Sequence, residues 1–189
     1  MKKQIVLASG NKNKLREFRE ILTDYEILSC KDLGFTDDIV EDGKTFVENA
    51  IIKAKAVALA LGVPAISDDS GICVDALGGA PGIYSARYAG DGIDEHNNEL
   101  LLKNLEGVEN RTARFVSAIA YYDPNGTVKT AEGYTEGEIL YKAEGENGFG
   151  YDPIFYSYDL KMSLGVASAE AKNKISHRYR ALMKMKEQL

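Results

Sequence analysis

Short β-rich runs alternate with segments of helical apolar spacing along this chain, and this alternation restricts its fold more than any other feature. Residues 4–8 form a short β-rich run that breaks at S-G-N, after which Leu15, Phe18 and Leu22 recur at helical spacing. Further along, D-P-N-G at residues 123–126 is a strong turn between two β-rich runs and predicts a hairpin. Helices interleaved with strands, together with one antiparallel hairpin, predict an α/β fold with a mixed sheet flanked by helices.

The remaining elements follow from the same rules. The pattern predicts helices at residues 45–61, 94–105 and 169–186, and strands at residues 65–67, 114–122 and 127–139. Gly62 and Pro64 are the stop signals of the first of these helices. No internal repeat, low-complexity tract or linker interrupts the sequence, so we expect a single domain over residues 1–189.

The composition and the cysteines bear on where the protein works. With 44% hydrophobic and 28% charged residues, the chain has the composition of an ordinary globular protein. Its first apolar run is too short for a signal peptide, and no run reaches the ~18 residues of a membrane span, so neither export nor anchoring is expected. Cys30 and Cys73 lie far apart with no paired spacing, which is typical of buried thiols in a reducing compartment. We therefore expect a cytoplasmic protein without disulfide bonds or structural zinc.

The charge balance limits the possible partners. Lysine and arginine total 23 against 29 acidic residues, which gives a net charge of −6. Broad binding of duplex nucleic acid needs a basic face, so a stable nucleic-acid partner is not expected. A local cluster of lysines and backbone amides can still hold a small anion such as a phosphate.

The first candidate site is a small-residue loop between the first strand and the first helix. It comprises Ser9, Gly10, Asn11, Lys12, Asn13 and Lys14. A helix N-terminus offers unpaired amides and partial positive charge, a glycine lets a ligand approach the backbone, and Lys14 adds a full charge one turn in. These features predict a phosphate cradle. The spacing is not that of a Walker loop or a dinucleotide fingerprint, and a helix cap with surface lysines is the alternative.

The second candidate site is acidic. Glu41 precedes the second predicted helix, and Asp68 and Asp69 follow the strand after it. Mg²⁺ usually takes one or two carboxylates plus the phosphates of its substrate, and Glu41 and Asp69 are suited to supply them. Because adjacent strand residues point to opposite faces, Asp68 and Asp69 reach one site only if the chain turns there, as Gly71 would permit. Turn and cap residues are the alternative, which we favour for Asp42.

The second predicted helix carries one further candidate. Thr45 and Glu48 have the spacing of a capping box, which explains Glu48 without any metal. Lys53 lies on an otherwise Ala- and Ile-rich helix and is a candidate phosphate contact. A lysine whose stem covers apolar surface while its ammonium reaches water would look the same.

The third candidate site is the loop G-F-G-Y-D-P at residues 148–153. Glycines beside Phe149 and Tyr151 predict that both rings are exposed. An exposed ring beside the carboxylate of Asp152 suits a flat heterocycle, which would stack on the ring face and be hydrogen-bonded at its edge, with Gly150 in contact. A tight turn with core aromatics is the alternative.

The fourth candidate site lies in the predicted last helix. Its apolar stripe comprises Ile175, Tyr179, Leu182 and Met183. Lys172 projects along this stripe at its N-terminal end and should enter a cleft, whereas Arg178 lies on the far side of the helix. We interpret His177 as a base-edge or phosphate contact rather than a metal ligand, because no second histidine stands nearby. A solvated charged helix is the alternative, which we accept for Lys174 and Arg180.

Six short motifs follow one another along nearly the whole chain. They are S-G-N-K-N-K at residues 9–14, T-F-V-E-N-A at 45–50, S-D-D-S-G at 67–71, P-G-I-Y-S-A-R-Y-A-G at 81–90, F-G-Y-D-P at 149–153 and S-H-R at 176–178. Each is weak evidence alone, but the ordered set is highly specific and resembles the inosine/xanthosine triphosphate pyrophosphatase family. One departure is S-A-E-A at residues 168–171, where that family commonly has S-P-E-E. It removes a proline and a capping glutamate, which concerns the start of the last helix rather than the chemistry.

The resemblance implies an elongated α/β fold with two lobes around a central cleft, a homodimer, and Mg²⁺-dependent hydrolysis of deaminated purine nucleoside triphosphates to the monophosphate and pyrophosphate. It also implies a role for each matching residue: Asn11 and Lys14 on the triphosphate, Glu41 and Asp69 on magnesium, Asp69 also as proton acceptor, Ser70 on the substrate, Phe149 stacked on the purine, and Asp152, Lys172, His177 and Arg178 around base and phosphates. The residues by themselves do not decide whether Asp68 or Asp69 is the general base.

Two other functions stay open at this point. One is a broader nucleoside triphosphate pyrophosphatase that also accepts modified pyrimidines. The other is a nucleotide-binding regulator that uses the same cleft without turnover. Selection of inosine or xanthosine would come from hydrogen-bond donors at the purine 6-oxo group.

Overall fold

A computed structural model describes residues 2–189 and consists of seven strands and five α-helices in these residues. The strands are β1 (Lys3–Leu7), β2 (Tyr25–Ser29), β3 (Ala65–Val74), β4 (Thr112–Tyr122), β5 (Val128–Ile139), β6 (Phe155–Ser157) and β7 (Met162–Ser163). The helices are α1 (Lys12–Ile21), α2 (Phe46–Leu61), α3 (Asp94–Asn104), α4 (Ala169–Ile175) and α5 (His177–Lys186). One sheet holds all seven strands in the order β2-β1-β3-β4-β5-β6-β7. The predicted α/β class and mixed sheet are thereby confirmed.

The chain divides into two compact units. The first contains the described residues up to Asp69, together with Ser117–Gly133 and Arg178–Leu189. In this unit β1 pairs in parallel with both β2 and β3, as the strand–helix–strand pattern requires. Phe18 and Leu22 of the α1 segment are fully buried against Leu7 of β1 and Leu182 of α5. This packing anchors the C-terminal half of α1 in the core of the unit.

The second unit comprises Ser70–Val116 and Tyr134–His177. Here β5, β6 and β7 form an antiparallel ladder. Leu101 of α3 and Phe155 of β6 are fully buried in its core, where Phe115 packs against Phe155 with ring centroids 4.7 Å apart. Through these contacts the core anchors both α3 and the segment that leads into β6.

The start and end of α2 agree with the sequence signals. Thr45 Oγ1 accepts the N–H of Glu48 at 3.1 Å, and the Glu48 carboxylate accepts the N–H of Lys44 at 2.6 Å. Gly62 ends the helix with φ at +67°, a left-handed conformation that glycine adopts without a steric penalty. The capping role predicted for Glu48 is confirmed.

Two predicted elements differ from the structure. The strand expected at residues 65–67 continues to Val74, so no turn follows Asp68 and Asp69. The single helix expected at residues 169–186 is two helices, because Ser176 is extended with φ −65° and ψ 146°. The buried residues of the second helix are Arg178, Ala181, Leu182 and Met185. Tyr179 and Met183 are 36% and 39% exposed, so the predicted apolar stripe is wrong for those two residues.

Three further observations concern the composition-based expectations. Cys30 and Cys73 are both free thiols, the first buried and the second half-buried. Of the helices in residues 2–189, none is long and apolar enough to cross a membrane. The expectation of a single domain stays a prediction.

Candidate functional site

The loop before α1 begins the candidate site in the first unit. Asn11 is the N-cap of α1, and its side-chain oxygen accepts the N–H groups of Asn13 and Lys14 at 2.9 and 3.2 Å. Ser9 Oγ in turn accepts the N–H of Asn11 at 3.1 Å. Lys12 and Asn13 are exposed. The loop is thus a capped helix N-terminus whose shape is held by its own side chains.

Lys14 extends from the first turn of α1 to a buried carboxylate. Its Nζ lies 2.7 Å from Asp68 Oδ2. Arg178 Nε donates to the same carboxylate at 3.2 Å, and Ser117 Oγ donates to it at 2.5 Å. Burial opposes the charge of Asp68, but the attraction of Lys14 and Arg178 outweighs it and holds the pKa of Asp68 well below its usual range. Asp68 is therefore ionised, and its carboxylate binds Lys14, Arg178 and Ser117 of the protein itself.

Arg178 connects this charge to α1. Its Nη1 lies 2.7 Å from Glu17 Oε2, so its guanidinium holds two carboxylates at once. Burial alone would lower the pKa of Arg178, but Asp68 and Glu17 raise it. A continuous last helix was expected to place Arg178 on the far side; that prediction is wrong because of the break at Ser176.

Lys53 joins the two carboxylates that the sequence assigned to magnesium. Its Nζ lies 2.9 Å from Glu41 Oε2 and 2.8 Å from Asp69 Oδ1. Burial would lower the pKa of Lys53, but the attraction of Asp69 and the hydrogen bonds of both carboxylates raise it. For Asp69 the effect of burial on the pKa outweighs that of the ion pair. Burial raises its pKa, Lys53 opposes this, and Glu41 and Asp68 add to the rise, so the pKa of Asp69 lies above its ordinary value.

The two aspartates have different surroundings because β3 continues through them. Successive side chains of a strand point to opposite faces, and Asp68 pairs with Lys14 whereas Asp69 pairs with Lys53. Ser70 follows in the same strand. We call Lys14, Glu41, Lys53, Asp68 and Asp69 the carboxylate–lysine cluster. A cavity of about 600 Å³ in this unit is lined by Ser9, Gly10, Lys14, Glu41, Lys53 and Asp68, among others.

The cluster suits a divalent cation that is shared with a phosphate. Glu41 and Asp69 each place an oxygen within hydrogen-bonding distance of one cationic group, the ammonium of Lys53. Within residues 2–189 there is no group of three or more His, Cys, Asp or Glu side chains that would hold a metal unaided. Two carboxylates are the number that Mg²⁺ takes when substrate phosphates and water complete its shell. The donor set therefore fits Mg²⁺ bound together with a polyphosphate.

The second unit carries the other candidate, residues 148–152, which we call the aromatic loop. The Phe149 ring is 54% exposed. Lys172 Nζ lies over this ring, 4.4 Å from its centroid, and also pairs with the buried carboxylate of Asp152. Asp152 Oδ2 accepts the N–H of Phe149 at 2.9 Å. One side chain thus fixes both the backbone of Phe149 and the cation above its ring.

Gly148 permits this arrangement. Its φ is +77°, and a Cβ at this position would collide with the Asp152 carboxyl group. A larger residue would therefore be strained and would also displace the carboxylate.

Tyr151 differs from its prediction. It is only 6% exposed, and its hydroxyl donates to the carbonyl of Ser85 at 2.7 Å. Its ring belongs to the core, so the expectation that both aromatic rings are exposed is wrong for Tyr151. His177 is half-buried and stacks on Phe115 with ring centroids 5.1 Å apart.

Several residues around the two candidates were not found by sequence reasoning. Glu17 and Ser117 hold Arg178 and Asp68, and no local pattern marks them because their partners are far away in sequence. Asn49 carried a signal in the T-F-V-E-N-A motif. It is buried, and its Oδ1 accepts the N–H of Gly43 at 2.9 Å, which fixes the loop that carries Glu41.

Comparison with known proteins places this fold and these residues in a family. The model of the Ham1 family matches residues 5–188. Over 192 residues the chain is 47% identical to the dITP/XTP pyrophosphatase of Bacillus subtilis, covering 99% of this chain and 97% of that protein. It is 50% identical over 190 residues to the dITP/XTP pyrophosphatase of Desulforamulus reducens, covering 97% and 94%. The Ham1 protein of Staphylococcus aureus has a structure of TM-score 0.93 at 45% identity, covering 98% and 97%. The chain belongs to the Ham1 family.

Proposed function

We propose that this protein hydrolyses deaminated purine nucleoside triphosphates (ITP, dITP and XTP) to the monophosphate and pyrophosphate, and so removes them from the nucleotide pool. The names of its relatives support this activity. The observation that carries the proposal is the pairing of Glu41 and Asp69 around Lys53 in the unit whose α1 N-terminus carries Lys14. This combination offers cations and amides for a polyphosphate and carboxylates for a metal and a water molecule.

In this proposal the first unit binds the triphosphate. The N-terminal amides of α1 and the ammonium groups of Lys14 and Lys53 neutralise phosphate oxygens, with Ser9, Gly10, Asn11, Lys12 and Asn13 forming the loop around them. Ser70, which follows Asp69 in β3 and is the first residue of the second unit, contributes a hydroxyl to the substrate. Arg178 supports Asp68 in addition to the phosphate or base contact that the resemblance implies.

Asp69 is the proposed general base. A base must accept a proton, so a carboxyl group whose pKa is raised by burial is better suited than one whose pKa is lowered. Asp69 meets this condition, whereas Asp68 is held ionised by Lys14 and Arg178. Asp69 would orient a water molecule for attack on the α-phosphorus, with pyrophosphate as the leaving group.

Glu41 and Asp69 would also hold Mg²⁺. When bound, this ion supplies charge neutralisation for the phosphates and the departing pyrophosphate. Before it arrives, Lys53 keeps the two carboxylates together and prevents their mutual repulsion. With Mg²⁺ present, Lys53 would add its own positive charge for the phosphates.

The aromatic loop is the proposed purine site. The exposed ring of Phe149 offers a surface for stacking, and the ammonium of Lys172 lies 4.4 Å from the ring centroid. Asp152, Lys172 and His177 supply charged and hydrogen-bonding groups for the edge of the base. Gly150, which has no side chain, leaves room for the base beside Phe149, while Tyr151 supports the loop from the core.

A panel of nucleotides tests the proposal. Pyrophosphate and orthophosphate release are measured side by side from inosine, xanthosine, guanosine and modified pyrimidine triphosphates with Mg²⁺ present. We expect pyrophosphate alone, released fastest from inosine and xanthosine triphosphates. Comparable rates with modified pyrimidines would favour the broader pyrophosphatase. Stabilisation against heat by the nucleotides without any release would favour the regulator.

The same proposal includes a homodimer in the cytoplasm. The homodimer rests on the sequence resemblance, and the cytoplasmic location is supported by the two free thiols. Light scattering should give about twice the 20.7 kDa mass of the chain. A mass equal to that of one chain would contradict the dimer without affecting the proposed chemistry.

A further inference from the structure

We propose that Asp94 and Asn98, one turn apart on α3, are positioning residues that set the orientation of Phe149 by clamping the two peptide groups of Gly150. This inference rests on the proposed function, because it assigns Phe149 to the purine. It adds a determinant of base binding that lies on a helix outside every motif that carried the sequence resemblance.

The clamp consists of two hydrogen bonds on either side of one glycine. Asp94 Oδ2 accepts the N–H of Gly150 at 2.8 Å. Asn98 Nδ2 donates to the carbonyl of Gly150 at 3.0 Å. Since the N–H of Gly150 belongs to the peptide that joins it to Phe149, the first bond fixes the plane directly after the aromatic residue. Residues four apart on a helix lie on the same face, so α3 can hold both groups at once.

Core packing holds Tyr151 but does not reach Gly150. Gly150 has no side chain, and nothing lies within 4 Å of the position a Cβ would take. A cavity of about 530 Å³ is lined by Asp94, Asn98, Phe149 and Gly150, among others. With open space beside it, Gly150 is positioned by its hydrogen bonds to Asp94 and Asn98.

The side chain of Asn98 meets Gly150 through its amide nitrogen alone. Asn98 Nδ2 donates to the carbonyl of Gly150, whereas the buried Oδ1 has no hydrogen-bond partner among the described residues. The bond to Gly150 is therefore the contact by which the Asn98 amide acts on the loop.

The helix that carries the clamp is itself anchored. Asn97, between the two clamp residues, is buried. It accepts the N–H of Ala89 at 2.7 Å and donates to the carbonyl of Ala86. Leu101, one turn further, is fully buried in the core of this unit. A group built on such a helix is more precisely placed than one carried by a loop.

Steady-state kinetics with inosine triphosphate give the first test. Asp94→Ala and Asn98→Ala should each raise KM about tenfold with little change in kcat, as expected for a lost hydrogen bond to a charged or buried group. Asp94→Asn keeps an acceptor and should recover part of the loss. Asn98→Asp keeps the shape but loses the donor and should resemble Asn98→Ala. The matched control is Glu95→Ala, which removes an exposed carboxylate from the same first turn of α3.

Amide hydrogen exchange at Gly150 gives a second test that does not depend on turnover. Exchange should be about tenfold faster in Asp94→Ala than in Glu95→Ala at unchanged thermal unfolding. Wild-type kinetic values in both clamp variants, or unchanged exchange, would overturn the inference. If the wild-type protein releases no pyrophosphate, the proposed function fails, whereas exchange at Gly150 still decides whether the clamp exists.

Discussion

The Nζ atom of Lys53 lies 2.8 Å from Oδ1 of Asp69. The residue proposed as general base is therefore paired with a cation of the protein itself. Because the same ammonium also holds Glu41 at 2.9 Å, Lys53 stands where a divalent cation would be attracted. A lysine in this position keeps two carboxylates close together without the repulsion that would otherwise separate them.

This pairing predicts competition between Lys53 and a metal. Lys53→Met should increase the affinity for Mg²⁺ in the absence of nucleotide about tenfold, while pyrophosphate release falls. Tenfold corresponds to ~1.4 kcal/mol, well within the ~4 kcal/mol of two charges 4 Å apart at an effective dielectric constant of ~20. Calorimetric titration with Mg²⁺ measures the change. Lys55→Met, an exposed lysine on the same helix, is the control for net charge. Equal Mg²⁺ affinities in both variants would contradict the prediction.

Arg178 should contribute to stability as well as to the site. Arg178→Ala removes the buried guanidinium that pairs with Glu17 and Asp68, so that Asp68 keeps Lys14 and the Ser117 hydroxyl, and breaking a buried pair in this way costs about 3–5 kcal/mol. Unfolding in urea measures the difference. The comparison is Lys174→Ala, which breaks an exposed ion pair with Glu170 and should cost less than about 1 kcal/mol. Similar small losses in both variants would mean that Arg178 is not a structural charge.

The thiol of Cys73 should react slowly with alkylating reagents at neutral pH. Burial raises the pKa of Cys73, and Asp75 adds to the rise, although Arg114 acts in the opposite direction. The folded state thus favours the protonated thiol. Its contribution to stability is present below the pKa of the unfolded thiol and is lost as the pH rises through the pKa of the folded one.

Alkylation at a series of pH values, followed by peptide-resolved mass spectrometry, compares the pKa of Cys73 in the folded and the denatured protein. The pH at which the alkylation rate is half-maximal should be higher for Cys73 in the folded protein than for the same thiol in denatured protein, where it should lie near the ordinary pKa of ~8.5. A midpoint for the folded protein at or below that of the denatured protein would contradict it.

The two glycines of the aromatic loop should differ in their tolerance of alanine. Both have positive φ, which costs ~1–2 kcal/mol for a residue with a Cβ. Only Gly148→Ala also drives the Asp152 carboxylate away from Phe149 and Lys172. We therefore expect a larger rise in KM for inosine triphosphate in Gly148→Ala than in Gly150→Ala. The reverse order would show that the contact between residues 148 and 152 is not what shapes the loop.

Local signals were sufficient for much of the fold. The capping box at Thr45, the stop at Gly62 and the hairpin turn at residues 123–126 each depend on residues close in sequence, and all are present. The exposed ring of Phe149 also followed from its glycines.

The remaining features depend on partners distant in sequence. β3 continues past Asp69 to Val74 as an inner strand between β1 and β4. The local sequence did not reveal this continuation, because Gly71 is compatible with a turn at the same place. The burial of Arg178 depends on Asp68, 110 positions away, and on a break at Ser176 that helical periodicity does not reveal. Tyr151 was assigned to the surface for the same reason, since the carbonyl of Ser85 that binds its hydroxyl is not visible in a local pattern.

Pyrophosphate release from inosine triphosphate by Asp69→Asn tests the central claim most directly. The substitution keeps the size of the side chain but removes the charge and the proton-accepting oxygen, so release should fall at least ~10²-fold, the scale of general base catalysis. Asp42→Asn, an exposed carboxylate beside Glu41, should retain the wild-type rate. Wild-type turnover in Asp69→Asn would contradict the assignment of the carboxylate–lysine cluster as the catalytic centre.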